Sequence, residues 1–133
     1  MRVQEEALRL HACGFNCAQS VLASLGSYTG AEESLSLALA GGFGGGVRCG
    51  EICGAVSGAV MALGLVLPYT NGADAEARAK ISKQTMALTR DFVQNYGCIR
   101  CQDLKRNGIP CNELIAYAAS RAEEMIKEEE KEK

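Results

Sequence analysis

At 133 residues, with 47% hydrophobic and 23% charged side chains, the chain has the size and balance of one packed domain and is too apolar for a disordered one. A formal charge of −2, few aromatics, no tryptophan and no clustered basic face exclude the electrostatic footprint and base-stacking platforms of a nucleic-acid-binding protein. The opening MRVQEEALRLHACGF carries acidic residues where a signal peptide would be apolar, so the expectation is a protein of the reducing cytoplasm.

The predicted elements are helical throughout. Val3 to Ala12 forms an amphipathic helix with Ala7, Leu8 and His11 on one face, and Gly14 is placed to end it. Asn16 is a cap for a second helix from Cys17 to about Leu25, in which Cys17, Val21 and Leu25 fall in line at four-residue spacing and face the packing partner. After a connection at Gly26 to Gly30, Ala31 to Ala40 opens with acidic residues, as suits the positive end of a helix dipole, and a glycine run at Gly41 to Gly46 stops it.

Glu51 to Leu67 is the most apolar segment. Gly50, Gly54, Gly58 and Ala62 recur every four residues and leave a face without bulk, serving either a homodimer interface or the monomer core. Pro68 ends this segment, Asn71-Gly72 signals a turn, and Asp74 caps a long helix running to about Tyr96 and stopped by Gly97. A cysteine-rich turn from Cys98 to Cys111 leads to a last helix from about Asn112, which frays into a charged tail at residues 127–133. No segment alternates with a two-residue period, so the fold expected is all-α: a compact single-domain bundle of five or six helices over residues 1–126.

The chemistry lies in the cysteines. Seven of them in a reducing compartment, with one necessarily unpaired, are a poor disulfide framework, and metal binding or thiol redox is the better explanation. The Asn16-Cys17-Ala18-Gln19 stretch, the glycine run, the Cys53-Gly54-Ala55-Val56-Ser57-Gly58 block and Cys101 followed by Cys111 together resemble the C_GCAxxG_C_C family of putative redox-active proteins. The resemblance runs from Asn16 through the last helix. It matches the family's four characteristic cysteines to Cys17, Cys53, Cys101 and Cys111 and leaves Cys13, Cys49 and Cys98 as extras. It implies a helical domain with redox function. A similar domain in split-Soret cytochromes looks like an iron-sulfur carrier, although this chain lacks the Cys-x2-Cys-His site that would attach haem.

Three functions follow as expectations. The first is an iron-sulfur protein, of the [2Fe-2S] type, with Cys17, Cys53, Cys101 and Cys111 as ligands, used for electron transfer or redox sensing with an unidentified redox partner. Cys53, near the start of its helix, is where backbone N–H groups and the dipole favour a thiolate. The second is a metal-free thiol-disulfide oxidoreductase using Cys98 with Cys101, or Cys53 with another matched cysteine. The third is a structural module holding zinc on four thiolates. Cys13 with Cys17, and Cys49 with Cys53, are spaced to stand one helical turn apart and could join or replace the matched set.

Other readings fail on pattern. The glycine run has no preceding strand and no following Gly-Lys-Ser/Thr, so it is neither a phosphate loop nor a dinucleotide fingerprint. The apolar stretch after Glu51 is shorter than the roughly 20 residues a membrane span needs. His11, the only histidine, lies on an ordinary helix, and no Ser-His-Asp, paired-carboxylate or His-Glu-x2-His arrangement supports hydrolase chemistry.

Overall fold

The computed structural model describes residues 2–132. Among them are nine helical segments, six of seven residues or more, and no strand. The six are α1 (Val3–Ala12), α2 (Cys17–Ser24), α4 (Glu33–Ala40), α5 (Gly54–Val66), α6 (Ala75–Tyr96) and α8 (Cys111–Lys131). Two short helices, α3 (Gly26–Thr29) and α7 (Cys101–Arg106), and a π-type turn at Gly46–Gly50 complete the set.

Four helices make the centre, with α1 against α2, α2 against α5, α5 against α8 and α8 back against α1. The buried side chains that fill it include Leu10, Val21, Leu22, Val56, Leu63, Ile115 and Ile126. α4 packs on α2, and α6 covers α5 and α8 with Leu88 and Phe92. Phe92 also joins Tyr96 and Tyr117 in a tilted aromatic cluster, with ring centroids 5.0 to 6.0 Å apart.

The local signals act as their chemistry dictates. Asn16 Oδ1 accepts from Gln19 N and Gln19 Oε1 accepts from Asn16 N, a reciprocal cap on α2 with both bonds at 3.0 Å. Asp74 Oδ1 accepts from Ala77 N at 3.0 Å to start α6. Gly97, at φ 81°, ends it in a left-handed conformation that a side chain would oppose.

The four-residue glycine stripe works inside the chain. Gly54, Gly58 and Ala62 are buried, while Gly50 lies before the helix in the π-type turn. A Cβ on Gly58 would stand 2.6 Å from Ala18 O, so α5 rests directly on the backbone of α2. The stripe therefore serves the core of one chain and is covered by α2.

Four details depart from the sequence reading. The inner face of α1 is Val3, Ala7 and Leu10, with Leu8 and His11 half-buried at its border. In the connection expected at Gly26 to Gly30, Gly26–Thr29 is wound into α3, and the Cys98 to Cys111 turn contains α7. The last helix does not fray at Lys127: it continues to Lys131 and buries Glu129. Burial opposes charge on that carboxylate, but Gln84 Nε2, donating at 2.6 Å, and Lys80 Nζ, at 3.1 Å, outweigh it and hold its pKa below the usual value. Among the described residues no helix is long and apolar enough to cross a membrane.

The stripe yields a paired prediction. Gly58→Ala should destabilise the chain by roughly 1–3 kcal/mol, because the new methyl meets backbone. Gly64→Ala, also within α5 but with open space around its Cβ position, should stabilise it by about 0.5–1 kcal/mol. Urea unfolding of both variants checks the pair, and equal destabilisation would contradict the close α2–α5 contact.

A candidate redox site where helices begin

Each of the four matched cysteines stands at a helix start. Cys17, Cys101 and Cys111 are the first residues of α2, α7 and α8, and Cys53 is the N-cap of α5. All four line one cavity of about 200 Å³. Its walls also include His11, Asn16, Gly45, Arg48, Lys105 and the apolar Leu104, Ile109 and Leu114.

Two devices bring the four segments together. The first is the glycine contact: a Cβ on Gly54 would lie 3.3 Å from Cys17 Cβ, so the starts of α2 and α5 abut. The second is a single antiparallel bridge between Ile52 and Arg100. Cys53 N donates to Ile99 O at 2.9 Å and Cys101 N donates to Glu51 O at 2.6 Å, which places the two cysteine-bearing strands of chain side by side. Arg100 and Glu51 close the outside of this clasp with an ion pair at 2.9 Å.

Asn16 and Gln19 do more than cap. Asn16 Nδ2 donates to Gly41 O at 3.0 Å, and Gln19 Nε2 donates to Leu37 O at 2.9 Å, tying the end of α4 to the start of α2. A Cβ on Gly44 would fall 2.5 Å from Asn16 Cβ, so the glycine run can lie against this cap only because it is side-chain-free. The run then turns left-handed at Gly45, Gly46, Val47 and Arg48, with φ between 57 and 65°. Glu51 N donates back to Gly46 O at 3.0 Å and closes the turn.

The thiols are not poised as thiolates by the fold alone. Burial, followed by the neighbouring Cys111 and Cys53, pushes the Cys17 pKa up to about 12. Burial also raises Cys53; the N–H groups of Ala55 and Val56, at the start of α5, pull the other way without overcoming it. The sequence expectation that the helix start favours a Cys53 thiolate is thus half right. The N–H groups are there, but desolvation wins.

The extra cysteines are placed differently, and none lines the cavity. Cys13 is exposed at the end of α1, with Arg9 Nη1 3.9 Å from its sulfur. Cys49 is exposed in the π-type turn and donates to Gly46 O at 3.4 Å. Neither shares a helix with its neighbour four residues on: Gly14 breaks the chain between Cys13 and Cys17, and Cys49 precedes the start of α5. Cys98 sits half-buried between Tyr96 O and Asn107 Nδ2, each 3.9 Å from its sulfur. Among the described residues, no three His, Cys, Asp or Glu side chains gather tightly enough to hold a single metal ion.

The family whose description is "Putative redox-active protein (C_GCAxxG_C_C)" matches residues 15–125. The chain belongs to that family. Its membership accounts for the spacing of the cysteine motif and carries the redox assignment at the family's level. No curated protein and no solved structure matches the chain.

Sequence reasoning passed over three residues that line the cavity. His11 borders the cavity, and its Nδ1 lies 2.8 Å from Asn112 Oδ1. Lys105 is four residues after Cys101 on α7 and shares its face, a signal that was present once α7 is recognised. Arg48 is brought by the left-handed turn, for which the sequence carries only the glycines.

Thiol labelling tests this placement. In the metal-free, reduced chain at pH 8, iodoacetamide should modify the exposed Cys13 and Cys49 first, and Cys17 and Cys53 last, because the latter pair combine poor access with raised pKa values. Peptide mapping by mass spectrometry follows each site. Labelling of Cys53 as fast as Cys13 would contradict the packing around α5.

Proposed function

We propose that this redox protein holds an iron-sulfur cluster of the [2Fe-2S] type on Cys17, Cys53, Cys101 and Cys111, and uses it for electron transfer or redox sensing. The observation that carries the reading is the division of the seven cysteines: the four family positions line one cavity, and the three extras do not.

The donor set fits such a group. Four thiolates are the ligands these clusters take, and apolar walls of Leu104, Ile109 and Leu114 limit water, which reduces loss of the core. Each iron of a two-iron core needs only two cysteines, so the thiols need not meet at one point. The shared cavity lining of Cys17 and Cys111 supports one pair, and the clasp joining the Cys53 and Cys101 segments supports the other. A single zinc would require four sulfurs at about 2.3 Å from one centre, a tighter gathering than these side chains make.

When bound, the cluster supplies one-electron exchange. The chain's own residues hold the site together, exclude water and place N–H groups near the sulfurs. The raised thiol pKa values mean that Cys17 and Cys53 would have to lose their protons to serve as ligands.

A metal-free thiol-disulfide function is favoured by one observation, that Cys17 and Cys111 line the same cavity while Cys98 does not, which would make that pair the dithiol in place of Cys98 with Cys101. The raised pKa of Cys17 makes it a slow nucleophile for that role.

Protein purified without oxygen decides between these readings. Iron and acid-labile sulfide in equal amounts, with charge-transfer absorption in the visible, are expected, and serine at Cys17, Cys53, Cys101 or Cys111 should remove most of the iron. Serine at Cys13, Cys49 or Cys98 should leave it. Metal-free, colourless protein that cycles a disulfide between Cys17 and Cys111 would replace the cluster reading with the dithiol one, and iron retained by Cys53→Ser would overturn the ligand set.

A further inference from the structure

The cations around the thiol cavity fall into two groups. Arg9, Arg100 and Arg106, which do not line it, are each paired with a carboxylate: Glu6 at 2.6 Å, Glu51 at 2.9 Å and Asp103 at 3.6 Å. Arg48 and Lys105, which line the cavity itself, are exposed, and neither has a carboxylate within 4.0 Å among the described residues. No Asp or Glu lines the cavity.

Arg48 is also placed at a cost. It and Val47 are the non-glycine residues with positive φ, 61° and 57°, and each left-handed residue with a Cβ costs roughly 1–2 kcal/mol. An unstrained loop could cover the cavity, but this strained one carries an unpaired guanidinium to its edge. Strain of this kind concentrates at functional positions. The starts of α2, α5 and α8 add the positive ends of three helix dipoles to the same space. The side-chain charges that line the cavity, those of Arg48 and Lys105, are therefore both positive.

We propose that Arg48 and Lys105 form an anion-recognition pair at the mouth of this cavity, so that the small molecule reacting with the site is selected for negative charge. The ligand class is a small organic or inorganic anion, such as a carboxylate- or sulfonate-bearing redox reagent. A cationic one is turned away. The inference rests on the cavity and its charges, and it holds whether the thiols carry a cluster or act as a dithiol.

The test compares reagents of matched size and opposite charge. In the reduced, metal-free full chain, sulfonatoethyl methanethiosulfonate (anionic) and trimethylammonioethyl methanethiosulfonate (cationic) are reacted with the protein, and labelling of Cys17, Cys101 and Cys111 is followed by mass spectrometry. In each reaction a cysteine thiolate attacks the reagent's thioalkyl sulfur, a mixed disulfide forms, and methanesulfinate leaves with the electron pair. The anionic-to-cationic rate ratio is divided by that for 2-mercaptoethanol, which removes the reagents' intrinsic difference and the thiol's own reactivity.

A normalised ratio of about 10 or more is expected at low salt, falling toward 1 in about 1 M salt and in Arg48→Gln/Lys105→Gln. Arg9→Gln, at a cation already paired, should leave it in place. A wild-type ratio near 1, or a ratio unchanged in a double variant with wild-type circular dichroism and melting, would overturn the proposal. For chain purified with a bound cluster, oxidation by hexacyanoferrate(III) against hexaammineruthenium(III) gives the same comparison between wild type and double variant. Failure of the cluster reading appears in the metal content, and failure of the anion pair appears in these ratios, so the two are separable.

Discussion

The close approach of α5 to α2 is the contact on which the site depends. Gly58 lies on the Ala18 carbonyl and Gly54 against Cys17, so the two helices meet backbone to backbone with no side chain interposed. Their first residues are thereby fixed as neighbours, and Cys17 and Cys53 with them. A larger residue in the stripe would separate the helix starts and widen the gap that any group shared between these thiols must span. The apolar character of α5, which on its own would suit several kinds of packing, is thus narrowed to one partner and one distance.

Bringing several helix starts to one end of a bundle imposes a topological cost, since each chain segment must return before it can begin again. Here α4 makes the return between α2 and α5, and the 22-residue α6, about 33 Å long, makes it between α5 and α8. The gain is electrostatic. Each helix start contributes about 0.3–1 kcal/mol toward a negative charge near it. For the free thiols this is insufficient: the rise of Cys17 from an ordinary 9.0 to about 12 amounts to about 4 kcal/mol against the thiolate. The fold therefore holds Cys17 and Cys53 as thiols, because burial outweighs the helix starts.

Most of the helices were legible in the sequence because their stop and start signals are strong and local. Asn16 and Asp74 cap where expected, and Gly97 and Pro68 interrupt where expected. The reading failed where tertiary contacts decide. Six residues at Cys101–Arg106 span less than two turns and show no periodicity of their own, so α7 was read as turn. The charged end of α8 looked like a fraying tail because Lys80 and Gln84, which receive Glu129, lie on a different helix. The four cysteine positions were visible through the family motif, but their sharing of a cavity depends on the Ile52–Arg100 clasp, a pairing that joins segments separated by all of α5 and α6. Arg48 was invisible for a further reason: a left-handed turn through Val47 and Arg48 contradicts local preference, and no propensity argument leads to it.

That clasp also orders events during synthesis. A ribosome releasing this chain exposes Cys17 and Cys53 first, while the edge that pairs with Ile52 is still unmade. Only when Cys111 has emerged and α8 has docked on α1 and α5 does the full set of sulfurs share one enclosure. A partly made chain thus carries its thiols on separate segments, and the cavity that all four line is complete only once α8 has docked.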